Sequence, residues 1–102
     1  MHHVATQPHP LLSASIRVPE DVVYREFASE MVVLNLKTGQ YHGLNPTAGE
    51  MLKALDETRS VETASRQIAD RHGVDLATVQ RDICALCDRF VERGLISVEQ
   101  GA

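Results

Sequence analysis

The chain has 102 residues, of which 43% are hydrophobic and 24% are charged, so it has the size of one domain with a single core. Ten Lys and Arg against 14 Asp and Glu give a formal net charge of −4, which argues against the basic surface that nucleic-acid binding requires. Two Cys exclude a disulfide-rich secreted scaffold, and no apolar run is long enough to span a bilayer, so we expect a cytoplasmic protein with no membrane partner.

The sequence predicts a flexible N-terminal tail over residues 1–15, because its start, MHHVATQPHP, is rich in His and Pro and has little to bury. A folded domain over residues 16–98 and a short C-terminal tail over residues 99–102 are expected to follow. We expect no metal site at the tail histidines, because a flexible segment does not preorganise ligands.

Three short segments predict strands, because they are rich in β-branched and aromatic residues and are bounded by turn residues. They cover residues 22–27, 31–36 and 40–44. Ala28 and Ser29 are expected to form the first turn, and Gly39 can adopt the positive φ that a tight second turn requires. The three segments therefore predict an antiparallel meander.

Three helices follow, and each begins at a residue suited to capping its first turn: Asn45, Ser60 and Asp75. Gly73 ends the second helix and Gly94 the third. The third helix carries a continuous apolar stripe, made of Leu76, Val79, Ile83, Leu86 and Phe90. The predicted fold class is α+β: a three-stranded antiparallel sheet followed by three helices that cover one of its faces, in a winged-helix-like arrangement.

Cys84 and Cys87 form a C-x-x-C pair near the middle of the third helix. Redox pairs are normally activated at a helix N-terminus, and structural zinc requires four ligands that this sequence does not supply. We interpret the pair as small apolar packing residues, with an oxidation-sensitive pair or a metal site as alternatives. His42 and His72 have no nucleophile or carboxylate at a spacing typical of catalysis, so we expect no enzyme activity, no metal and no cofactor.

A second stripe on the third helix lies beside the core stripe and is only weakly polar: Gln80, Cys84, Cys87 and Val91. It either widens the core or lines a groove between the third helix and the open edge of the sheet. Such a groove is suited to an extended peptide, whose main chain pairs with the strand edge while alternate side chains contact the helix.

The second and third helices also fit a helix-turn-helix, which would make the protein a winged-helix DNA-binding regulator. Between Ser60 and Gly94, however, there are five Arg and six acidic residues, a net charge of −1. A DNA-binding module normally carries excess positive charge, so nucleic acid is the less favoured partner.

The run V-V-L-N-L-K-T-G-Q-Y-H-G-L-N-P-T-A, followed by a short helix, a capped S-V-E segment, R-H-G-V-D and a final E-R-G-L-I, resembles the family of pyrroloquinoline quinone biosynthesis protein D. The similarity extends from Tyr24 to Val98. Members are small peptide-recognition domains of pathways that modify ribosomally made peptides, with three strands followed by three helices. The ending Y-x-G-L-N is most similar to the stand-alone members of lasso-peptide pathways.

The resemblance implies that the leader region of a precursor peptide adds to the third predicted strand and packs on the third helix. The expected pairing edge is Tyr41, His42, Gly43 and Leu44. The expected apolar wall is Ile83, Cys84, Cys87 and Val91, with Asp82 or Asp88 available to a basic leader residue. The implied partners are a leader peptidase and an asparagine-synthetase-like cyclase, or a radical enzyme in a quinone-type pathway.

Overall fold

The computed structural model describes residues 10–99, which contain five strands and three helices. In chain order they are a 3-10 turn (Pro10–Ser13), β1 (Ser15–Arg17), β2 (Val22–Glu26), β3 (Met31–Asn35), β4 (Gln40–Leu44), α1 (Pro46–Thr58), α2 (Val61–His72), α3 (Leu76–Glu92) and β5 (Ser97–Glu99). The predicted α+β class, with three antiparallel strands followed by three helices, is confirmed. Winged-helix-like describes it only loosely.

The main sheet is the meander that the sequence predicts, with strand order β2-β3-β4. The first turn is closed by Phe27, whose N–H donates to the carbonyl of Glu30 at 2.7 Å. The second turn contains Gly39 at φ 77, so a left-handed residue stands where the sequence requires one. Val33 of β3 lies opposite His42 of β4, which sets the register of the edge strand.

One face of this sheet packs on the helices and the other is open. Met31 and Val33 are buried on the inner face, whereas Tyr41 is 73% exposed on the outer one. Gly49 allows α1 to approach β3 closely, because a Cβ at this position would lie 3.1 Å from Cβ of Met31. The three helix starts are those predicted: side chains of Asn45, Ser60 and Asp75 each accept a hydrogen bond from a backbone N–H three residues later.

A second, two-stranded sheet is a feature that the sequence did not predict. Strands β1 and β5 pair antiparallel, with Ile16 opposite Val98. Leu11 and Ala14 are also buried in the core, so the packed domain begins before the expected boundary at residue 16 and includes Glu99. Residues 11–15, which were expected to belong to a flexible tail, are packed against the rest of the domain, while residues 1–9 and 100–102 lie outside the described residues.

The core lies between the inner face of the main sheet, the β1–β5 pair and the three helices. Leu52, Leu55, Val61, Ile83 and Leu95 are among the residues with no exposed surface. Leu95 and Ile96 are buried, so the chain folds back onto the core after α3. Across residues 10–99, none of the helices is both long enough and apolar enough to cross a membrane.

Candidate functional site

Strand β4 forms one edge of the main sheet, because its only strand neighbour within residues 10–99 is β3. In an antiparallel sheet, alternate residues of an edge strand direct their N–H and C=O groups away from the neighbouring strand. These groups are available to another extended chain. The edge offers a template for main-chain hydrogen bonds along residues Gln40–Leu44.

An open cleft runs beside this edge, between β4, the first turns of α1 and one side of α3. It consists of two adjoining cavities of about 170 and 260 Å³ that share Asn45, Ala48, Leu86 and Arg89. We call it the β4–α3 cleft. Its remaining lining residues are Gly43, Leu44, Thr47, Met51, Asp82, Ala85, Phe90 and Arg93.

Helical periodicity explains why α3 serves both the core and the cleft. Asp82, Leu86 and Arg89 follow one another at intervals of four and three residues, so they lie on one side of the helix. The C-cap residue Arg93 follows four residues later and lines the same cleft. Val79, Ile83, Cys87 and Phe90 follow the same periodicity on the neighbouring side and are buried. The cleft therefore has an apolar floor, and charged side chains stand along its rim.

Asn35 fixes the edge strand to the end of α3. It is only 7% exposed, and its Nδ2 donates to the carbonyl of Gly94 at 3.3 Å. Its Oδ1 accepts from the backbone N–H groups of Lys37 and Thr38 at 2.9 and 3.3 Å, within the turn that leads into β4. A buried amide with all these partners holds the start of β4 beside the C-terminal end of α3.

The predicted pairing residues occupy different environments along β4. Leu44 is buried and, with Gly43, lines the cleft. The Tyr41 side chain lies on the outer face, opposite Leu34. The half-buried His42 shares the inner face with Val33, and within residues 10–99 its buried Nε2 has no hydrogen-bond partner.

The helix side of the cleft differs from the predicted apolar wall. Ile83, Cys84 and Cys87 are at most 1% exposed and belong to the core, so the second stripe widens the core at Cys84 and Cys87. Val91 is 43% exposed but does not line the cleft. Of the two predicted acidic residues, Asp82 lines the cleft.

Asp88, although exposed, is not among the cleft residues. The helix side of the cleft is formed instead by Leu86, Ala85, Arg89 and Arg93. Peptide contact by any of these side chains stays a prediction.

The two cysteines have the environment of packing residues. Both are free and buried. Burial raises the pKa of Cys84. Burial also raises the pKa of Cys87, to about 12, and the nearby Cys84 and Asp88 add to this shift. A reactive thiol requires a lowered pKa and access to solvent, so the geometry disfavours a redox pair. Within residues 10–99, no group of three His, Cys, Asp or Glu side chains is placed to hold a metal ion.

The positions of several cleft residues in the sequence already indicated that they lie outside the core, although the prediction did not take this into account. Arg89 and Arg93 are spaced four apart on the same helix side as Leu86, which the apolar stripe assigned wholly to the core. Leu86 is half-buried and lies at the boundary between core and cleft. Asn35 was also recognisable from the sequence, because it is a polar residue at an inward position of an otherwise apolar strand.

Comparison with known proteins gives one family and two similar structures. The family model described as coenzyme PQQ synthesis protein D (PqqD) matches residues 30–96, which is more than half of the chain. TbiB1 in complex with the TbiA(beta) leader peptide is 28% identical with a TM-score of 0.71, covering 84% of this chain and 98% of that chain.

Lasso peptide synthetase B1 complexed with the leader peptide is 25% identical, also with a TM-score of 0.71, covering 82% of this chain and 99% of that one. No curated protein matches the chain.

Proposed function

This chain belongs to the coenzyme PQQ synthesis protein D (PqqD) family, and on that premise we propose that it is a recognition element that binds the leader region of a ribosomally made precursor peptide. Both similar structures hold a leader peptide, TbiB1 that of TbiA(beta), and the second of them is a lasso peptide synthetase B1. A precursor of the lasso class is therefore the favoured ligand. The same findings give no support to the DNA-binding alternative.

The observation that carries this proposal is the unpaired edge of β4 beside an open cleft. A leader segment in extended conformation adds to β4 as a fourth strand, and its main chain pairs with the free N–H and C=O groups. Because side chains alternate along a strand, one set enters the cleft above Ala48 and Leu86, and the other set lies beside Tyr41 on the outer face.

The role we propose is binding and presentation without catalysis. The domain holds the leader at about micromolar affinity or better, which raises the effective concentration of the attached core peptide at a partner enzyme. The partners we propose are a leader peptidase and an asparagine-synthetase-like cyclase, with a radical enzyme as the alternative in a quinone-type pathway. We propose a cytoplasmic location for this step.

A fluorescence-anisotropy titration tests the proposal. The probe is a labelled synthetic leader from the precursor encoded beside this chain, and the controls are a scrambled leader and duplex DNA. We expect saturable binding of the leader alone, with a Kd of about 1 µM or lower. Equal binding of the scrambled peptide, or salt-sensitive binding of the duplex in its place, would contradict the proposed function.

A further inference from the structure

The β4–α3 cleft has an uneven distribution of charge. Arg89 lies in the last turn of α3 and Arg93 is the residue that caps its C-terminal end, and both side chains are exposed. Within residues 10–99, neither guanidinium forms an ion pair or a side-chain hydrogen bond. Asp82 lines the other end of the cleft, about 16 Å away from Arg93 along the helix. The cleft is therefore positive at one end and negative at the other.

The positive end lies directly beside the free strand edge. Arg89 and Arg93 line the same cavity as Gly43 and Leu44 of β4. A strand added to β4 occupies the space between these two walls, and it partly shields the guanidinium groups from water. Shielding strengthens a charge pair that forms there and penalises a guanidinium that is left without a partner.

We propose that the leader segment bound in this cleft carries a carboxylate side chain that pairs with Arg89 and Arg93, which makes the ligand class an acidic extended peptide. This inference rests on the proposed function. The pairing requires that the acidic residue belong to the set of leader side chains that points into the cleft, the same set that lies above Leu86. A carboxylate at the opposite end meets Asp82 and is repelled, so the charges select one placement of the leader along β4.

The protein side of this pairing is tested with Arg89→Glu and Arg93→Glu, singly and together. We expect the double variant to bind the leader at least about tenfold more weakly, and the loss to shrink as salt is raised. The matched control is Arg81→Glu, an exposed arginine of the same helix that does not line the cleft, and it should bind like the original protein. Circular dichroism verifies that each variant is folded.

Substitutions in the leader peptide test the same pairing without changing the protein, so they remain informative even if a protein variant misfolds. Each Asp and Glu of the leader is replaced by Asn or Gln, and the proposal expects about tenfold weaker binding at one inward-facing position only. Replacing that residue by Lys should restore binding to the double Glu variant.

Two results would overturn the inference while leaving the proposed function standing: saturable binding of a leader that has no acidic residue, or equal affinity for all the substituted leaders. Absence of any leader binding by the original protein would instead remove the proposed function itself.

Discussion

The two sides of α3 have opposite roles, although they alternate along one short stretch of sequence. The core side contains Ile83, Cys87 and Phe90, all at most 1% exposed. The cleft side contains Leu86, half-buried, and Arg89, exposed. A rotation of α3 by one residue, about 100°, would exchange the two sides. The comparison indicates that placement around the helix, more than residue type, decides whether a position serves stability or binding.

The largest expected effect is on the core side. Cys87→Arg places a charge where the structure has no exposed surface, so we expect a loss of about 4 kcal/mol or more in unfolding free energy. Leader binding should be lost together with the fold. Val91→Gln is the matched control, because Val91 is 43% exposed on the same helix and lines neither cavity of the cleft.

Urea unfolding monitored by circular dichroism measures both variants. Normal stability of Cys87→Arg would mean that α3 is rotated so that Cys87 does not face the core.

An intermediate effect is expected on the cleft side. Ala85 is exposed and lines the cleft, so Ala85→Tyr should fill the space that we propose for the leader. We expect binding to weaken about tenfold, equivalent to about 1.4 kcal/mol, with no loss of stability. Ala77→Tyr introduces the same side chain at an exposed position of α3 outside the cleft and should leave the Kd unchanged. Equal weakening in both variants would place the binding surface elsewhere.

The smallest effect is expected away from both sides of α3, where Glu50 joins α1 to α2. Its Oε2 lies 2.6 Å from Nη1 of Arg71, and its Oε1 lies 2.8 Å from Nε2 of His72. Burial alone would raise the pKa of Glu50, but the hydrogen bonds from His72 and Arg71 outweigh it and lower the pKa below its ordinary value. The ionised carboxylate therefore stabilises the fold at neutral pH, and this contribution is lost as pH falls through the lowered pKa.

Glu50→Gln should accordingly cost up to about 1 kcal/mol at about pH 7, and progressively less as pH falls through the lowered pKa of Glu50. Glu62→Gln is the control, because its pair with Arg66 is longer, at 3.5 Å, and both side chains are more than half exposed. Leader affinity should be unchanged in both variants. A pH-independent cost for Glu50→Gln would show that its ion pairs do not contribute.

Most of the fold was predictable because its signals are local. The helix starts at Asn45, Ser60 and Asp75 depend on residues within one turn, and the strand pattern depends on alternation within five residues. The pairing of β1 with β5 joins two three-residue strands from opposite ends of the chain, and no local pattern signals such a contact. The burial of Leu11 and Ala14 follows from the same long-range packing.

The candidate site was only partly predictable. The second stripe on the third helix, together with the family resemblance, pointed to β4 and α3 as its two walls. The rotation of α3 was ambiguous, because Cys84 and Cys87 suit a core as well as an apolar groove. Long-range contacts decide it: α3 packs against α2 and against the 3-10 turn that begins at Pro10, a segment expected to be a tail. These contacts bury the side of α3 that carries Cys84 and Cys87, and Leu86 and Arg89 are therefore left at the cleft.

The most direct test of the account is NMR-detected amide hydrogen exchange, measured with and without the leader peptide. Addition of the leader as a strand on β4 should slow exchange at alternate amides of residues 40–44, the ones that face away from β3, and leave the opposite edge strand β2 unchanged. Protection of β2 instead, or leader binding with no new protection in β4, would contradict recognition by strand addition at this edge.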